Sequence, residues 1–358
     1  MIEIDGSYGE GGGQVLRTSL ALSILTGEAV HITNVRGRRS KPGLQPQHLK
    51  AVDAAAAISR AEVQGAALHS AELTFTPGEL RTGRYKFDIG TAGSTSLVLQ
   101  TIFLPLSLAG SASTVLISGG THVPNAPCYH YLELQWLPFM RRLGFDAKLI
   151  MEEAGFYPEG GGKIIATIRP AAKISPLILE DRGEFAALSG LSAVANLDTS
   201  IADRQKRQAL GRLLRQYPTT RIKLTHLPSR FKGTLLLLQT FFQPPESEIY
   251  PAGCFYGLGA RSKPAERVAD EAVDELELFL ASNGAIDAHL ADQILLPLAV
   301  ASGISRFHTA RVTRHLLTNA WVIGEFTDTR IAIEGEMDEP GWVEIHPGSS
   351  VNRLFKDE

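Results

Sequence analysis

Cysteine is almost missing from this chain of 358 residues: Cys128 and Cys254 are its only two, too few for a disulfide framework or a four-cysteine zinc site. Two isolated thiols suit a reducing compartment, so the cytoplasm is the expected location. Neither charge sign is in excess, with 35 Lys and Arg against 38 Asp and Glu and a formal net charge of −3. Bulk charge therefore points to no nucleic-acid or membrane partner, and any such preference must come from local clustering. The opening Met1-Ile2-Glu3-Ile4-Asp5 lacks the basic residues and apolar run of a secretory signal. The longest stretch free of Asp, Glu, Lys and Arg, Ile89 to Leu132, is interrupted by Pro105, Gly110 and scattered Thr, Ser and Gln. A bilayer span needs about 20 predominantly apolar residues, so this stretch reads as a buried helix followed by a buried strand. Two common phosphate-binding signatures are also missing. No Gly-x-x-x-x-Gly-Lys-Ser/Thr occurs, and the glycine cluster at 9–13 fails Gly-x-Gly-x-x-Gly because position 14 is Gln.

What remains is an ordinary globular composition, 44% hydrophobic and 20% charged, long enough for about two domains. Strand-like runs (1–4, 29–32, 72–75, 113–118, 147–151) alternate with helical patterns of 10–14 residues (14–25, 47–58, 95–108, 132–143). That alternation predicts an α/β (α+β) fold. Glu10-Gly11-Gly12-Gly13 is echoed by Glu159-Gly160-Gly161-Gly162, which predicts a supersecondary unit repeated about every 75 residues. A composition shift near Leu179–Gly183 marks a smaller inserted α/β domain at 182–280, with the main domain formed by 1–181 and 281–358. Within the insert, residues 204–232 hold nine Lys and Arg and no acid, beginning as an amphipathic helix. Its basic face is a candidate RNA contact through Arg204, Arg207 and Arg215. A helix from Pro264 to Ser282, with Ser262 as the expected N-cap, carries an acidic face at Glu266, Asp270, Glu271, Asp274 and Glu277.

Six stretches could carry chemistry, one of them the turn-rich loop of Gly119–His122 and Pro124–Pro127 that follows a buried strand, since loops leaving a sheet are frequent sites of function. The 9–13 glycines leave backbone N–H groups uncovered at a helix start, where an anion can approach, and Glu10 could hold a cation beside it. Arg36, Arg38, Arg39 and Lys41 cluster before Pro42, with Arg17 one element earlier and Gln47 opening the next helix; guanidinium groups can grip phosphate oxygens bidentately. Gly90–Ser96 precedes a helix containing Gln100. His289, Asp292 and Gln293 fall at i, i+3, i+4 on one face of a helix starting near Asp287, beside a buried stripe that begins at Leu290. His315 falls in the first turn of a helix, after a strand read at Arg306–Val312. The dipole there disfavours imidazolium, which keeps the ring neutral and nucleophilic and attracts phosphate.

Together these stretches resemble the RNA 3′-terminal phosphate cyclase family. The blocks are Asp5-Gly6 with Gly9–Gln14 and Leu16-Arg17, then Arg36, Arg39, Lys41–Leu44 and Gln47–Leu49, then Gly93-Ser94 with Leu99–Thr101. Phe156-Tyr157-Pro158, Gly160–Gly162, Asp292-Gln293 and His315–Asn319 complete the order. The resemblance implies repeated βαβαββ units, each a four-stranded sheet backed by two helices, plus a smaller insert. It implies ATP as co-substrate, Mg²⁺ or Mn²⁺, and an RNA with a 3′-terminal phosphate. His315 would carry AMP covalently before passing it to the RNA, whose 2′-hydroxyl closes a 2′,3′-cyclic phosphate. The family pattern assigns Glu10 to metal and nucleotide phosphates, and Gln100, His289, Leu290, Ala291, Asp292 and Gln293 to ATP. Arg17, Arg36, Arg39 and Gln47 would address phosphates. Many relatives carry Tyr where this chain has His289, which offers a smaller stacking face. The loop at Thr121–Asn125 departs from the usual form, and no role is carried over to it. Non-catalytic RNA-binding or ribosome-assembly relatives of the same fold lack the nucleophilic histidine, and enolpyruvyl transferases leave the His315–Asn319 block unexplained. No membrane and no obligate protein partner are expected.

Overall fold

A computed structural model describes residues 1–245 and 247–349. The first unit runs β1 (Ile2–Asp5), α1 (Gly13–Thr26), β2 (Val30–Thr33), α2 (Pro46–Ser59), β3 (Glu62–Gln64) and β4 (Leu73–Thr76). Its sheet order is β1-β2-β4-β3, with β1 and β2 parallel and the remaining pairs antiparallel. The second unit repeats this with β5 (Arg84–Asp88), α3 (Thr95–Ser107), β6 (Ser113–Gly119), a second helical segment, β7 (Asp146–Glu153) and β8 (Gly162–Arg169). That segment comprises α4 (Tyr129–Tyr131), a π-helical turn (Leu132–Trp136) and α5 (Leu137–Arg142), and the sheet order is β5-β6-β8-β7.

After β9 (Ile178–Leu179) the chain leaves the third unit. It builds a separate sheet from β10 (Glu184–Ala195), α6 (Thr199–Leu213), β11 (Arg221–His226), β12 (Gly233–Gln243), β13 (Tyr250–Leu258) and α7 (Ala265–Ala281), ordered β11-β10-β12-β13. It then resumes with α8 (Ala288–Ala299), β14 (Ser305–Thr309), α9 (Arg314–Phe326), β15 (Arg330–Glu334) and β16 (Gly341–His346), closing β15-β16-β14-β9. Units two and three share one small device. Gly83 N–H donates to Ser113 Oγ across 30 positions, and Leu177 N–H donates to Ser305 Oγ across 128; each serine is buried where the second strand of its unit begins. We propose the domain division 1–181 with 281–358, interrupted by 182–280; residues 350–358 lie outside those described.

The repeat is real, but the glycine echo does not mark it. Gly11–Gly13 lead from β1 into α1, whereas Gly160 and Gly161 precede β8, the last strand of unit two. The positional counterpart of the first cluster is 89–94, between β5 and α3. Ser262 is not a cap: Pro264 holds the N-cap position of α7, and Ser262 sits in a turn at φ 64°. The strand after α8 stops at Thr309, and the segment expected from Leu132 starts at Tyr129. Its π turn has a cause. Pro138 has no N–H for the Leu134 carbonyl, and Gln239 of β12 donates to that oxygen instead. The run Leu235–Leu238 is wholly buried because α6 and α7 pack on β12, while the 129–142 segment reaches the same sheet through Gln239 and β13.

Candidate active site

Helices from different units pack together, α1 against α9 and α1 and α2 against α3, and within the third unit α8 packs against α9, which gathers helix starts that are far apart in sequence. The turn before α1 brings two glycines against side chains of the site, and at Gly9 the left-handed backbone itself favours glycine. Gly9 (φ 58°) would drive a Cβ into the Thr318 hydroxyl, and a Cβ on Gly12 would lie 2.5 Å from both Glu10 Oε1 and Arg39 Nη2. Glu10 is thus pressed inward, its side chain 6% exposed. Its backbone N–H donates to Thr318 Oγ1 at 3.2 Å, and its Oε2 pairs with Arg39. Its Oε1 lies 3.6 Å from His315 Nδ1 and has no hydrogen-bond partner among the described residues.

His315 is the second residue of α9, whose N-cap Thr313 accepts the Leu316 N–H at 3.0 Å. The side chain is 45% exposed. Because Nδ1 is the nitrogen nearest Glu10, Nε2 turns away from that carboxylate. Partial burial lowers the imidazole's affinity for a proton; Glu10 opposes this, and Arg17 and Arg39 add to it. The net direction is toward the neutral ring.

Around this pair stands a cationic shell. Burial pushes the Arg17 guanidinium down to about 10, with Glu10 and Asp292 opposing and Arg36 and Arg39 reinforcing the fall. Arg36 is lowered by burial and by Arg39, and Nη1 of Arg36 donates to the Lys41 and Gly43 carbonyls at 2.6 and 2.9 Å, so it also ties its own loop. His48, over the start of α1, is pushed down to about 3 by burial and then by Arg17, Arg36 and Arg39. Gln47 accepts the Ser94 N–H at 2.9 Å, which joins α2 to the N-cap of α3. Gln100 Nε2 donates to Gln293 Oε1 at 2.7 Å, which joins α3 to α8. Asp292 Oδ1 is shut off from solvent without a partner, and burial, then Asp287 and Glu10, push its carboxyl well above the usual range.

Glu10, Arg17, Arg39, Asp292 and His315 thus share one electrostatic neighbourhood, and the Gln100–Gln293 pair brings α3 to the same helix that carries Asp292. His289 is exposed in the first turn of α8, and its backbone N–H bonds to the capping Asp287. Leu290 and Ala291 are fully buried in the core, and Asp287 holds both of their N–H groups, through Oδ1 at 2.9 Å and its carbonyl at 3.1 Å.

Four residues are given no role by the sequence reading, Gln14, Thr18, Thr318 and Asn319, although all but Thr18 lie in blocks that carry the resemblance. Asn319 Oδ1 accepts from Thr18 Oγ1 at 2.7 Å and Gln14 Nε2 at 2.9 Å, and its Nδ2 donates to the Asp292 carbonyl at 3.0 Å. Gln14 Oε1 in turn accepts from Arg17 Nη2 at 2.9 Å. One amide therefore ties together the helices bearing Arg17, Asp292 and His315. The signal was available: 14, 17, 18 and 315, 318, 319 are polar trios at i, i+3, i+4, the same spacing that singled out His289, Asp292 and Gln293. Asn319→Leu strands three polar partners, and is expected to cost about 3 kcal/mol in urea unfolding. A loss under about 0.5 kcal/mol would show that the network carries no weight.

The fold and the site define a class: triplicated βαβαββ proteins with a four-stranded insert in the third unit and a cationic cluster where the helix starts converge. Comparison narrows this further. The family model described as RNA 3′-terminal phosphate cyclase matches residues 8–333. The chain is similar to a Methylococcus capsulatus protein named RNA 3′-terminal phosphate cyclase, with 40% identity covering 97% of this chain and 96% of that protein. Proteins of the same name from Ralstonia nicotianae (42%, covering 94% of each chain) and Archaeoglobus fulgidus (41%, 94% of this chain and 98% of that one) are comparably similar. The chain belongs to the RNA 3′-terminal phosphate cyclase family.

Proposed function

We propose that this chain uses ATP to convert the 3′-terminal phosphate of an RNA into a 2′,3′-cyclic phosphate, with His315 as the nucleophile. One observation carries the reading: an accessible imidazole, biased toward its neutral form, stands at a helix start among Arg17, Arg39 and the inward-pressed Glu10. His315 Nε2 attacks the α-phosphorus of ATP, forming a P–N bond as the P–O bond to pyrophosphate breaks. A 3′-phosphate oxygen of the RNA then takes the AMP, breaking that P–N bond and restoring the imidazole. The adjacent 2′-hydroxyl attacks the activated 3′-phosphorus, AMP leaves, and the hydroxyl proton passes to solvent.

The chain's own groups suit these steps. Arg17, Arg36 and Arg39 neutralise and orient phosphates, for which guanidinium groups are well shaped, and the neutral Gln47 amide can add a hydrogen bond to them. Asp292, pushed by burial toward its protonated form, suits donation of a hydrogen bond where an ionised carboxylate would repel a phosphate. Gln100 and Gln293 retain one amide end each beyond their mutual bond, and with Asp292 and His289 they form the proposed nucleotide contacts; Leu290 and Ala291, buried beneath, would serve the nucleotide only by packing this turn of α8 in place. Glu10 Oε1, buried and unpartnered, fits a hard divalent cation. Mg²⁺ commonly takes only one or two carboxylates, with phosphates and water as its other ligands. Bound there, Mg²⁺ or Mn²⁺ would offset triphosphate charge. Among the described residues no helix is long and apolar enough to cross a membrane. Cys128 and Cys254 are both free and buried, in keeping with the cytoplasm as the proposed location.

The test is incubation with α-labelled ATP and Mn²⁺ or Mg²⁺. A covalent phosphoramidate on the protein, stable to alkali and labile to acid, is expected, followed by label-free enzyme and cyclic-ended RNA once a 3′-phosphorylated oligonucleotide is added. RNA binding without any label would return the non-catalytic reading.

A further inference from the structure

The basic segment of the insert divides into neutralised and free charge. Arg204 makes a two-pronged ion pair with Glu266, and Arg212 reaches Asp270, Asp274 and Glu277, so the acidic face of α7 cancels much of the basic face of α6. Arg207 pairs with Asp203, and Arg230 with Glu153. Two of the three cations expected to meet RNA, Arg204 and Arg207, are therefore already occupied; Arg215 has no ion pair among the described residues. Lys206, Arg221 and Lys223 likewise have none, and these three line one open groove between α6 and β11. Ser189 and Thr220 add polar groups to its lining, Leu210 and Ile222 add apolar ones, and no acid lines it.

β11 is the edge strand of its sheet. Arg221 and Lys223 are both exposed and stand at i, i+2, on the same face and about 6.6 Å apart along the strand, on the scale of neighbouring phosphates in a nucleic-acid strand. The chain leaving β11 runs toward the catalytic unit. Ala154 N–H donates to the Pro228 carbonyl at 2.7 Å, Phe231 packs over Gly161, and Gly160 packs on Ala92, two residues before the Ser94 that Gln47 holds. Tyr157 and Phe231 at this junction are 66% and 38% exposed, offering faces on which bases stack.

We propose that this groove receives the sugar–phosphate backbone of single-stranded RNA upstream of the 3′ end that reaches His315. The proposal rests on the functional reading above. Free cations, an acid-free wall and exposed rings on the path to the site favour RNA over an acidic peptide, which has no use for the rings. The test is equilibrium binding of a fluorescein-labelled single-stranded RNA 20-mer to the full chain, with self-labelling from ATP measured in parallel. The triple variant Lys206→Ala, Arg221→Ala, Lys223→Ala should bind about 10-fold more weakly or worse, and should lower the slope of log affinity against log salt by about 2, since each lost phosphate contact removes about 0.7. Label on His315 should be unchanged. The control Arg204→Ala, Arg207→Ala, which removes already paired cations, should alter RNA binding less than about 2-fold. Unchanged RNA binding in the triple variant would overturn the groove. So would polyglutamate binding wild type as tightly as RNA and losing as much in the triple variant. A wild type that binds RNA through the groove but never takes label would sink the catalytic reading alone.

Discussion

His315→Ala is expected to lose all covalent label from ATP and to drop cyclisation by about 10⁴-fold or more, the scale on which removal of a nucleophile is felt. Folding should not change. The ring is half-exposed, the N-cap of α9 is Thr313, and alanine is the best helix former, so urea stability should stay within about 0.5 kcal/mol of wild type. Because Arg17, Arg39 and Glu10 remain, ATP should still bind, and the loss should fall on kcat rather than KM. Undiminished label in this variant would move the nucleophile elsewhere.

Three buried histidines should withdraw stability as pH falls below 6.5, against an opposing gain from the buried Asp287 and Asp292 carboxyls, which burial pushes up. His122 and His130 are both buried, with Nε2 and Nδ1 2.8 Å apart and sharing one hydrogen, while His122 Nδ1 meets Thr121 Oγ1 at 2.7 Å. Burial pushes His130 down to about 4 and His122 well below its usual 6.5, and His48 lies at about 3. The unfolded chain takes up protons on these rings near 6.5 while the folded chain does not, so stability is full above that pH and falls as pH drops from 6.5 toward 4. At pH 5 each withheld proton costs about 2 kcal/mol, and the three rings together about 4–6 kcal/mol. Urea midpoints at pH 7.5 and 5.0 measure this, and His130→Gln should flatten the difference. A difference between the two pH values that is the same in His130→Gln as in wild type would clear the pair of any role.

The alternation of helix and strand was readable because α1, α2, α3 and α8 each bury an apolar stripe, and the strands facing them carry β-branched runs. Asp287 announced its helix correctly, since a short acidic side chain before an apolar pattern can serve as a cap. Central strand β10 was invisible: Ala, Ser and Gly dominate it, and packing between neighbours replaces propensity there. Two-residue β9 carries no periodicity at all. In the site, the trio on α8 was legible from spacing alone, but its meeting with Gln100 across 193 positions was not. The basic and acidic helices of the insert were both seen, yet as separate solvated faces; local pattern holds no trace that one would cancel the other.

The hydroxyl at Ser305 answers a backbone amide made 128 residues earlier, where its counterpart Ser113 waits for only 30. During synthesis the first two units can therefore close as they emerge from the ribosome, while Ile178 and Leu179 stay without the neighbour β14 until the whole insert has been made. The nascent polypeptide is then at its most vulnerable to aggregation while the insert is being made, and a chaperone or a slower translation rate would matter most over the codons for 182–309.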